Sequence, residues 1–257
     1  MTTLHWLDPN PQGYPPVLLL HGLGANCDSW GLQLPGLSAA GFRPIAPDAP
    51  GFGASPYDGR GWTIRWAAAE MADLLGQLKT GPAFVAGLSM GGIIAQQIAL
   101  DAPAMVRKLV LVSTFAILRP GAVNGWVYYL QRFLLINTLG LPAQARIVAR
   151  RIFPNPEDAH LREMLMETIS RADPRAYRKA MISLGLFSSI ERLGEIKVPT
   201  LVVTGQGDTT VTPARQQYLV KGILGARQIL VEGAGHAVPV DQPDIFNRDL
   251  IEFLREQ

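Results

Sequence analysis

The chain has 257 residues, of which 48% are hydrophobic and 17% are charged, so it can bury a substantial core and lacks the composition of a disordered protein. Its formal net charge of +2 provides no electrostatic footprint for nucleic acid. The single cysteine, Cys27, excludes an intramolecular disulfide, and the four scattered histidines lack the spacing of metal ligands. We therefore expect no nucleic-acid partner, no metal and no cofactor.

Two segments bear on localisation. The first 16 residues contain Asp8 and several prolines, whereas a secretory signal has basic residues followed by an apolar run. Residues 81–100 are uncharged and reach the length of a membrane-spanning helix, but their proline, glycines, serine and glutamines favour a short strand, a glycine turn and a buried helix. We expect a cytoplasmic protein without a membrane span, as a monomer or a homodimer.

Short apolar runs rich in valine, isoleucine and leucine alternate with longer stretches of helical character. The runs are 17–20, 43–46, 83–86, 109–112, 200–203 and 228–231. Such an alternation predicts an α/β fold, in which a mostly parallel sheet is covered on both faces by helices.

More than eighty residues separate the fourth apolar run from the fifth, and most of them have helical character. We predict that they form a helical cap, residues 119–193, inserted between two parts of the core, 1–118 and 194–257. Residues 119–192 contain 11 basic and 6 acidic side chains, or +5, which leaves 12 basic and 15 acidic, or −3, for the rest. Such a bias is typical of solvated helix faces, with attraction of acidic ligands as the alternative.

Local signals subdivide the insertion. Asn155 and Asp173 each precede a proline, which is the pattern of a capping residue followed by the first helical position, and they predict helices over 156–170 and 174–187. Residues 126–136 are apolar on nearly every side, so they predict a helix that is buried on more than one face. Core packing is the ordinary role of such a helix, and roofing an apolar substrate pocket is the alternative.

The strongest chemical signal is the pentapeptide Gly-Leu-Ser-Met-Gly at 87–91, directly after one strand-like run and before a helix-like stretch. It fits the G-x-S-x-G nucleophile elbow in its required context. Glycines on either side of the serine relieve clashes in a strained turn that presents the hydroxyl at the carboxyl end of the sheet. The motif predicts Ser89 as a nucleophile.

A serine hydroxyl is a weak nucleophile near neutral pH, so it needs a base and a carboxylate that orients this base. His236 follows the last strand-like run, and Asp208 follows the run at 200–203. The chain order Ser89, Asp208, His236 is that of hydrolases with a nucleophile elbow.

An oxyanion hole needs two backbone amides aimed at the developing negative charge. One is expected from Met90, next to the nucleophile, and the other from Leu23 in the glycine-containing loop after the first run. We expect His21, at the start of this loop, to hold it by hydrogen bonding.

These motifs together resemble the α/β-hydrolase family, in its esterase, lactonase and carbon-carbon hydrolase branch. The resemblance spans nearly the whole chain and rests on the stretches 21–24 with 29–30, 48–55, 87–91, 205–208 and 235–254. It implies that the inserted helices form a cap over the serine, with the active site between the cap and the sheet. Residues 87–92 also resemble enol-lactonases. In contrast, ring-cleavage carbon-carbon hydrolases tend to carry an aromatic residue where this chain has Ala237, and epoxide hydrolases and haloalkane dehalogenases carry aspartate in place of Ser89.

We expect a carboxylesterase-like enzyme that cleaves a small to medium, largely apolar ester through an acyl-enzyme on Ser89. The pocket walls are predicted to include Gly22, Leu88, Trp126, Tyr129, Phe133 and Val238.

Enol-lactone hydrolysis and carbon-carbon bond hydrolysis by the same residues remain alternatives. A non-catalytic ligand receptor is an alternative of another class, because a fold alone does not determine function. Residues 22–27 with Asp48 could also be interpreted as a dinucleotide-binding loop. This alternative is disfavoured because it gives no role to Ser89, Asp208 and His236.

Overall fold

The computed structural model describes residues 3–118 and 123–256, except for the side chains of 123–126, 128 and 129. Seven strands form one sheet in the order β1-β3-β2-β4-β5-β6-β7. Strands β2 to β7 pair in parallel, and β1 pairs antiparallel with β3 at the edge. The strands are β1 (Trp6–Leu7), β2 (Pro16–Leu20), β3 (Arg43–Pro47), β4 (Ala83–Leu88), β5 (Val106–Val112), β6 (Thr200–Gly205) and β7 (Arg227–Val231).

Helices cover both faces of this sheet, so the predicted α/β architecture is confirmed. Those in the described residues are α1 (Leu34–Ala39), α2 (Ile64–Gln77), α3 (Met90–Asp101), α4 (Val123–Thr138), α5 (Gly140–Ile152), α6 (Ala159–Arg171), α7 (Pro174–Leu186), α8 (Pro213–Gly222), α9 (Val238–Asp241) and α10 (Pro243–Arg255).

Strand β2 shows why the predicted runs are continuously apolar. Leu18 and Leu20 belong to the core on one face of the sheet, whereas Val17 and Leu19 belong to the core on the other face. Successive side chains of a strand point to opposite faces, and both faces of this sheet are covered, so every position is apolar. Strand β1 was not predicted, because two half-buried residues at a sheet edge are too short for a periodicity.

The insertion leaves and re-enters the core at neighbouring points. Ile117 and Ser188 form an isolated antiparallel bridge, and the amide of Ser189 donates to the carbonyl of Ala116 at 2.9 Å. Between them run α4, α5, α6 and α7. The expected helix over 156–170 is divided into a short 3₁₀ turn, Pro156–Asp158, and α6.

The second predicted start in the insertion has the expected cap. The carboxylate of Asp173 accepts hydrogen bonds from the amides of Arg175 and Ala176 at 2.7 and 3.2 Å, and α7 begins at Pro174. These bonds satisfy amides that have no partner within the first helical turn.

Helices α6 and α7 rest on the loops that follow β2 and β3. A Cβ atom on Gly24 would lie only 2.7 Å from Ile169 of α6, and the rings of Phe52 and Tyr177 lie 6.3 Å apart. The amide of Asp173 donates to the carbonyl of Gly51 at 2.8 Å. The insertion therefore lies above the carboxyl ends of the strands.

The prediction that the helix at 126–136 is buried on more than one face is wrong. Val127, Leu130 and Leu134 are each about half exposed, whereas Ile136 is buried. Helix α4 packs against α5, and its Arg132 bonds to Tyr177 of α7, but the apolar side chains of Val127, Leu130 and Leu134 are left partly exposed to solvent. An apolar sequence on all sides shows that a helix can be buried all round, but only its neighbours determine which sides are covered.

None of the helices in the described ranges is long and apolar enough to cross a membrane. The uncharged stretch at 81–100 is divided between β4 and α3, with Ser89 at the junction.

Candidate active site

Ser89 occupies the turn between β4 and α3 with φ of 53° and ψ of −110°, a conformation that L-residues rarely adopt. The flanking glycines are required sterically. A Cβ atom on Gly91 would lie 2.0 Å from the carbonyl oxygen of Leu20, and one on Gly87 would lie 2.2 Å from the carbonyl oxygen of Gly91. The turn is therefore as sharp as the G-x-S-x-G pattern requires.

The strained turn is held by neighbouring strands. The amide of Ser89 donates to the carbonyl of Val112 at 2.9 Å, and the hydroxyl of Thr114 donates to the carbonyl of Ser89 at 2.7 Å. Both partners come from the end of β5 or just after it. Backbone strain persists where surrounding hydrogen bonds over-determine the geometry, as they do here.

His236 and Asp208 meet at the same edge of the sheet. Nδ1 of His236 lies 2.9 Å from Oδ2 of Asp208, and both side chains are buried. The other carboxylate oxygen, Oδ1, accepts from the amides of Thr210 and Val211 at 2.8 and 2.9 Å. A carboxylate only accepts hydrogen bonds, so Nδ1 donates in this pair, and in the neutral tautomer Nε2 is left as the basic nitrogen.

The loop that carries His236 has its own anchor. The carboxylate of Asp241 in α9 accepts from the amide of Gly235 at 2.8 Å. Burial raises the pKa of Asp241 above its ordinary value, although the Gly235 bond opposes this effect. Asp241 thus positions the backbone of Gly235, next to His236.

Ser89 and His236 lie on the wall of one cavity of about 380 Å³. The three residues that the sequence singled out, Ser89, Asp208 and His236, therefore come together after β4, β6 and β7. The carboxyl ends of parallel strands share one edge, which is where ligands bind in open α/β sheets.

Of the two residues expected to supply an oxyanion amide, Leu23 lines the cavity. Met90 directly follows Ser89 and begins α3, where the first amides of a helix have no intrahelical acceptor. A Cβ atom on Gly22 would lie 3.8 Å from Cβ of Ser89, so this loop passes directly beside the serine.

His21 holds this loop, as predicted. Its Nδ1 donates to the carbonyl of Gly22 at 2.8 Å, and its Nε2 accepts from the amide of Ala49 at 2.9 Å. Burial lowers the pKa of His21 below its ordinary value. A protonated ring has no lone pair for the Ala49 amide, so this bond and the burial favour the neutral form, whereas the Gly22 carbonyl and the charge of Asp48 oppose the lowering of the pKa.

Two predicted wall residues, Gly22 and Leu88, line the cavity, but Val238 does not. Val238 is fully buried in the core between the sheet and α1 and α10. Ala237 and Val240 line the cavity instead. The short helix α9 turns Val238 towards the core, which the sequence alone did not reveal.

Phe133 also lies away from the cavity, with 37% of its surface exposed, whereas its neighbour Arg132 is on the cavity wall. At this position of α4, Arg132 and not Phe133 is therefore the residue on the cavity wall. The side chains of Trp126 and Tyr129, also predicted as walls, lie outside the described residues.

The rest of the wall is mainly apolar and comes from both the core and the insertion. Leu118 comes from the end of the first core segment, and the insertion contributes Val148, Ile152, Phe153, Leu165 and Leu184. Three arginines that sequence reasoning did not single out also line the cavity, namely Arg132, Arg151 and Arg215. The positive charge of the insertion was a signal for the first two, whereas Arg215 lies outside the insertion.

His5, Cys27 and Asp48 place potential metal-ligand atoms within 4.8 Å of one another. Oδ1 of Asp48 accepts from the amide of Cys27 at 2.7 Å, and Oδ2 accepts from the amide of Ala54 at 2.8 Å and contacts Nδ1 of His5 at 2.9 Å. Burial alone would raise the pKa of Asp48, but the Ala54 and Cys27 bonds hold it below its ordinary value. These bonds give Asp48 the role of tying two loops together.

A family model described as the alpha/beta hydrolase family matches residues 17–249. A protein of Variovorax paradoxus (strain S110) named for carbamate hydrolysis, RutD, is 31% identical over 257 residues, covering 98% of this chain and 96% of the relative. A pimeloyl-[acyl-carrier protein] methyl ester esterase of Neisseria meningitidis is 27% identical over 264 residues, covering 94% of this chain and 95% of the relative.

Solved structures agree with the sequence relatives. The crystal structure of the enol-lactonase from Burkholderia xenovorans LB400 superposes with a TM-score of 0.91 and 26% identity, covering 99% of this chain and 97% of the lactonase. The sheet, the residues matched by the family model and these relatives all lead to one assignment. The chain belongs to the alpha/beta hydrolase family.

Proposed function

We propose that this protein is a serine hydrolase that cleaves the carboxylic ester of a small to medium, largely apolar substrate through an acyl-enzyme on Ser89. The observation that carries the proposal is the bond of 2.9 Å between His236 and Asp208, with Ser89 and His236 on the wall of one cavity. This arrangement supplies a nucleophile, a base and an orienting carboxylate.

In the proposed first half-reaction, Oγ of Ser89 attacks the ester carbonyl carbon and Nε2 of His236 takes the hydroxyl proton. The carbonyl oxygen becomes an oxyanion, which the amides of Leu23 and Met90 stabilise. The tetrahedral intermediate collapses, the ester C–O bond breaks, and the proton on His236 passes to the leaving alcohol. Asp208 stabilises the imidazolium while it exists.

In the second half-reaction, a water molecule gives a proton to Nε2 of His236 and attacks the acyl carbon. The bond between the acyl group and Oγ of Ser89 breaks, the proton returns to Ser89, and the carboxylic acid leaves. Each proton taken by His236 is thus given back, so the enzyme is unchanged after one turnover.

Release of p-nitrophenolate from short p-nitrophenyl esters tests this proposal, together with covalent labelling by a fluorophosphonate. We expect turnover by the wild type and a loss of about 10⁴-fold or more in Ser89→Ala, with no labelling of that variant. Ser29 lines the same cavity and donates its hydroxyl to Asn26, so Ser29→Ala is a matched control that keeps the labelling. Unchanged turnover in Ser89→Ala would contradict the proposal and favour the non-catalytic receptor.

Lactone hydrolysis is a second candidate on the same residues. The similarity to the enol-lactonase over 99% of this chain favours lactone hydrolysis. The relative named for carbamate hydrolysis makes carbamates a third class of carbonyl substrate to test. A comparison of kcat/KM distinguishes these classes when it includes esters, lactones, carbamates and vinylogous diketones. A preference of at least about tenfold for esters supports the proposal, because discrimination between acyl groups is expressed in kcat/KM.

A further inference from the structure

Three arginines from three helices line the cavity that contains Ser89. Arg132 lies on α4, Arg151 on α5 and Arg215 on α8. No aspartate or glutamate is among the residues described on the cavity wall. The wall thus combines an apolar surface with three guanidinium-bearing side chains, which a purely apolar substrate would not use.

Hydrogen bonds to neutral groups position two of these side chains. Nη2 of Arg132 donates to the hydroxyl of Tyr177 at 3.3 Å, and Nη2 of Arg151 donates to the carbonyl of Thr209 at 2.7 Å. A phenol and a backbone carbonyl carry no net charge, so these bonds orient the guanidinium groups without removing their positive charge. Thr209 directly follows Asp208, so Arg151 is held close to the candidate catalytic residues.

The surroundings favour an anion as the ligand of these arginines. Arg132 and Arg215 are half-buried, and apolar side chains such as Val148, Leu165 and Leu184 complete the wall. Charge interactions are stronger beside apolar surfaces than in bulk water. A guanidinium group presents several donors in one plane and binds carboxylates in a bidentate manner.

We infer that Arg132, Arg151 and Arg215 select substrates that carry a carboxylate in addition to the bond that is cleaved. The inference rests on the proposed function, because it assigns the substrate class of the same cavity. The substrate then has an apolar body, which the hydrophobic wall binds, and one anionic end. Hydrolysis of its ester leaves an acyl product with two carboxylates, or a carboxylate-bearing alcohol.

The test compares two esters that differ only at the end of the acyl chain: the p-nitrophenyl monoester of adipic acid and p-nitrophenyl hexanoate. We expect the wild type to prefer the adipate monoester by about tenfold or more in kcat/KM at low ionic strength. Arg151→Gln and Arg215→Gln each lower this ratio by about tenfold, mainly through KM. Added salt also lowers the ratio in the wild type.

Matched variants distinguish the effect of losing a positive charge from the effect of poorer folding. Arg151→Lys and Arg215→Lys keep the positive charge, so their ratios lie between those of the wild type and the glutamine variants. Arg248 pairs with Asp249 away from the cavity, and Arg248→Gln therefore leaves the ratio unchanged. Because both esters are measured on the same preparation, a variant that folds poorly lowers both rates and not their ratio.

Two outcomes would overturn the inference. Turnover of both esters with a wild-type ratio near one, or a ratio that none of the arginine variants changes, overturns the carboxylate preference and leaves the proposed ester hydrolysis intact. Absence of turnover of both esters by the wild type contradicts the proposed function itself, and the inference with it.

Discussion

The imidazole of His236 lies 2.9 Å from the carboxylate of Asp208, and both groups are buried. The backbone amides of Thr210 and Val211 hold the other carboxylate oxygen, so the carboxylate cannot easily turn away from the ring. This relationship determines which ring nitrogen carries the hydrogen, and it leads directly to the first prediction.

Asp208→Asn preserves the shape of the side chain but allows its amide to donate to Nδ1, which favours the wrong tautomer of His236. We expect kcat on the best ester to fall by about 10⁴-fold. Steady-state kinetics with circular dichroism on the same sample provides the measurement. Asp244→Asn, at the exposed start of α10, is the control with normal kcat. Full activity of Asp208→Asn would contradict the assigned role.

Gly91→Ala should destabilise the fold, because the new Cβ atom would lie 2.0 Å from the carbonyl oxygen of Leu20 and must push α3 away from β2. We expect a loss of about 2–4 kcal/mol in the free energy of unfolding. Gly76→Ala in α2 is the matched control, since its Cβ atom meets nothing within 4 Å. We expect the free energy of unfolding of this control to rise by about 0.5–1 kcal/mol. Urea denaturation measures both variants.

The stability of the protein should fall as the pH decreases through the range in which free histidine titrates. Burial lowers the pKa of His21 in the folded state, so the unfolded chain binds the proton first. The stabilisation is fully present above the ordinary pKa of about 6.5 and is lost as the pH falls towards the folded value. Urea midpoints measured from about pH 7.5 to about pH 5 test this, and His21→Gln should show a smaller decrease.

Val238 and Val240 should respond differently to truncation. Val238 is fully buried in the core, whereas Val240 lines the cavity. Val238→Ala costs about 1–2 kcal/mol of unfolding free energy. Val240→Ala instead raises KM for an apolar ester, with a smaller effect on the urea midpoint. The reverse pattern would show that the sequence-based choice of Val238 as a wall residue was correct.

Cys27 should resist thiol reagents in the folded protein. It is buried, and burial together with the charge of Asp48 raises the pKa of its thiol, so almost no thiolate exists near neutral pH. Iodoacetamide at about pH 8 should leave native enzyme unlabelled and active, and should label the chain fully in urea. Rapid loss of activity under native conditions would contradict this assignment.

Local patterns in the sequence predicted the α/β architecture and six of the seven strands, and they led to the choice of Ser89, Asp208 and His236 as candidate catalytic residues. Apolar runs predict buried parallel strands wherever they occur. The G-x-S-x-G turn, the aspartate after one strand and the histidine after another acquire a common location because parallel strands end at one edge. These signals depend on short stretches of chain and on one topological rule.

The cavity wall depended on the tertiary structure. The sequence of α4 is apolar on nearly every side and does not show which side faces the cavity. Contacts with α5 and α7 place Arg132 on the cavity wall and leave Phe133 partly exposed. Arg151 and Arg215 approach the same space from other helices, and no local pattern relates them. The orientation of a helix about its axis is set by residues far away in the chain, so the sequence showed a positive insertion, but only the folded molecule showed which arginines line this cavity.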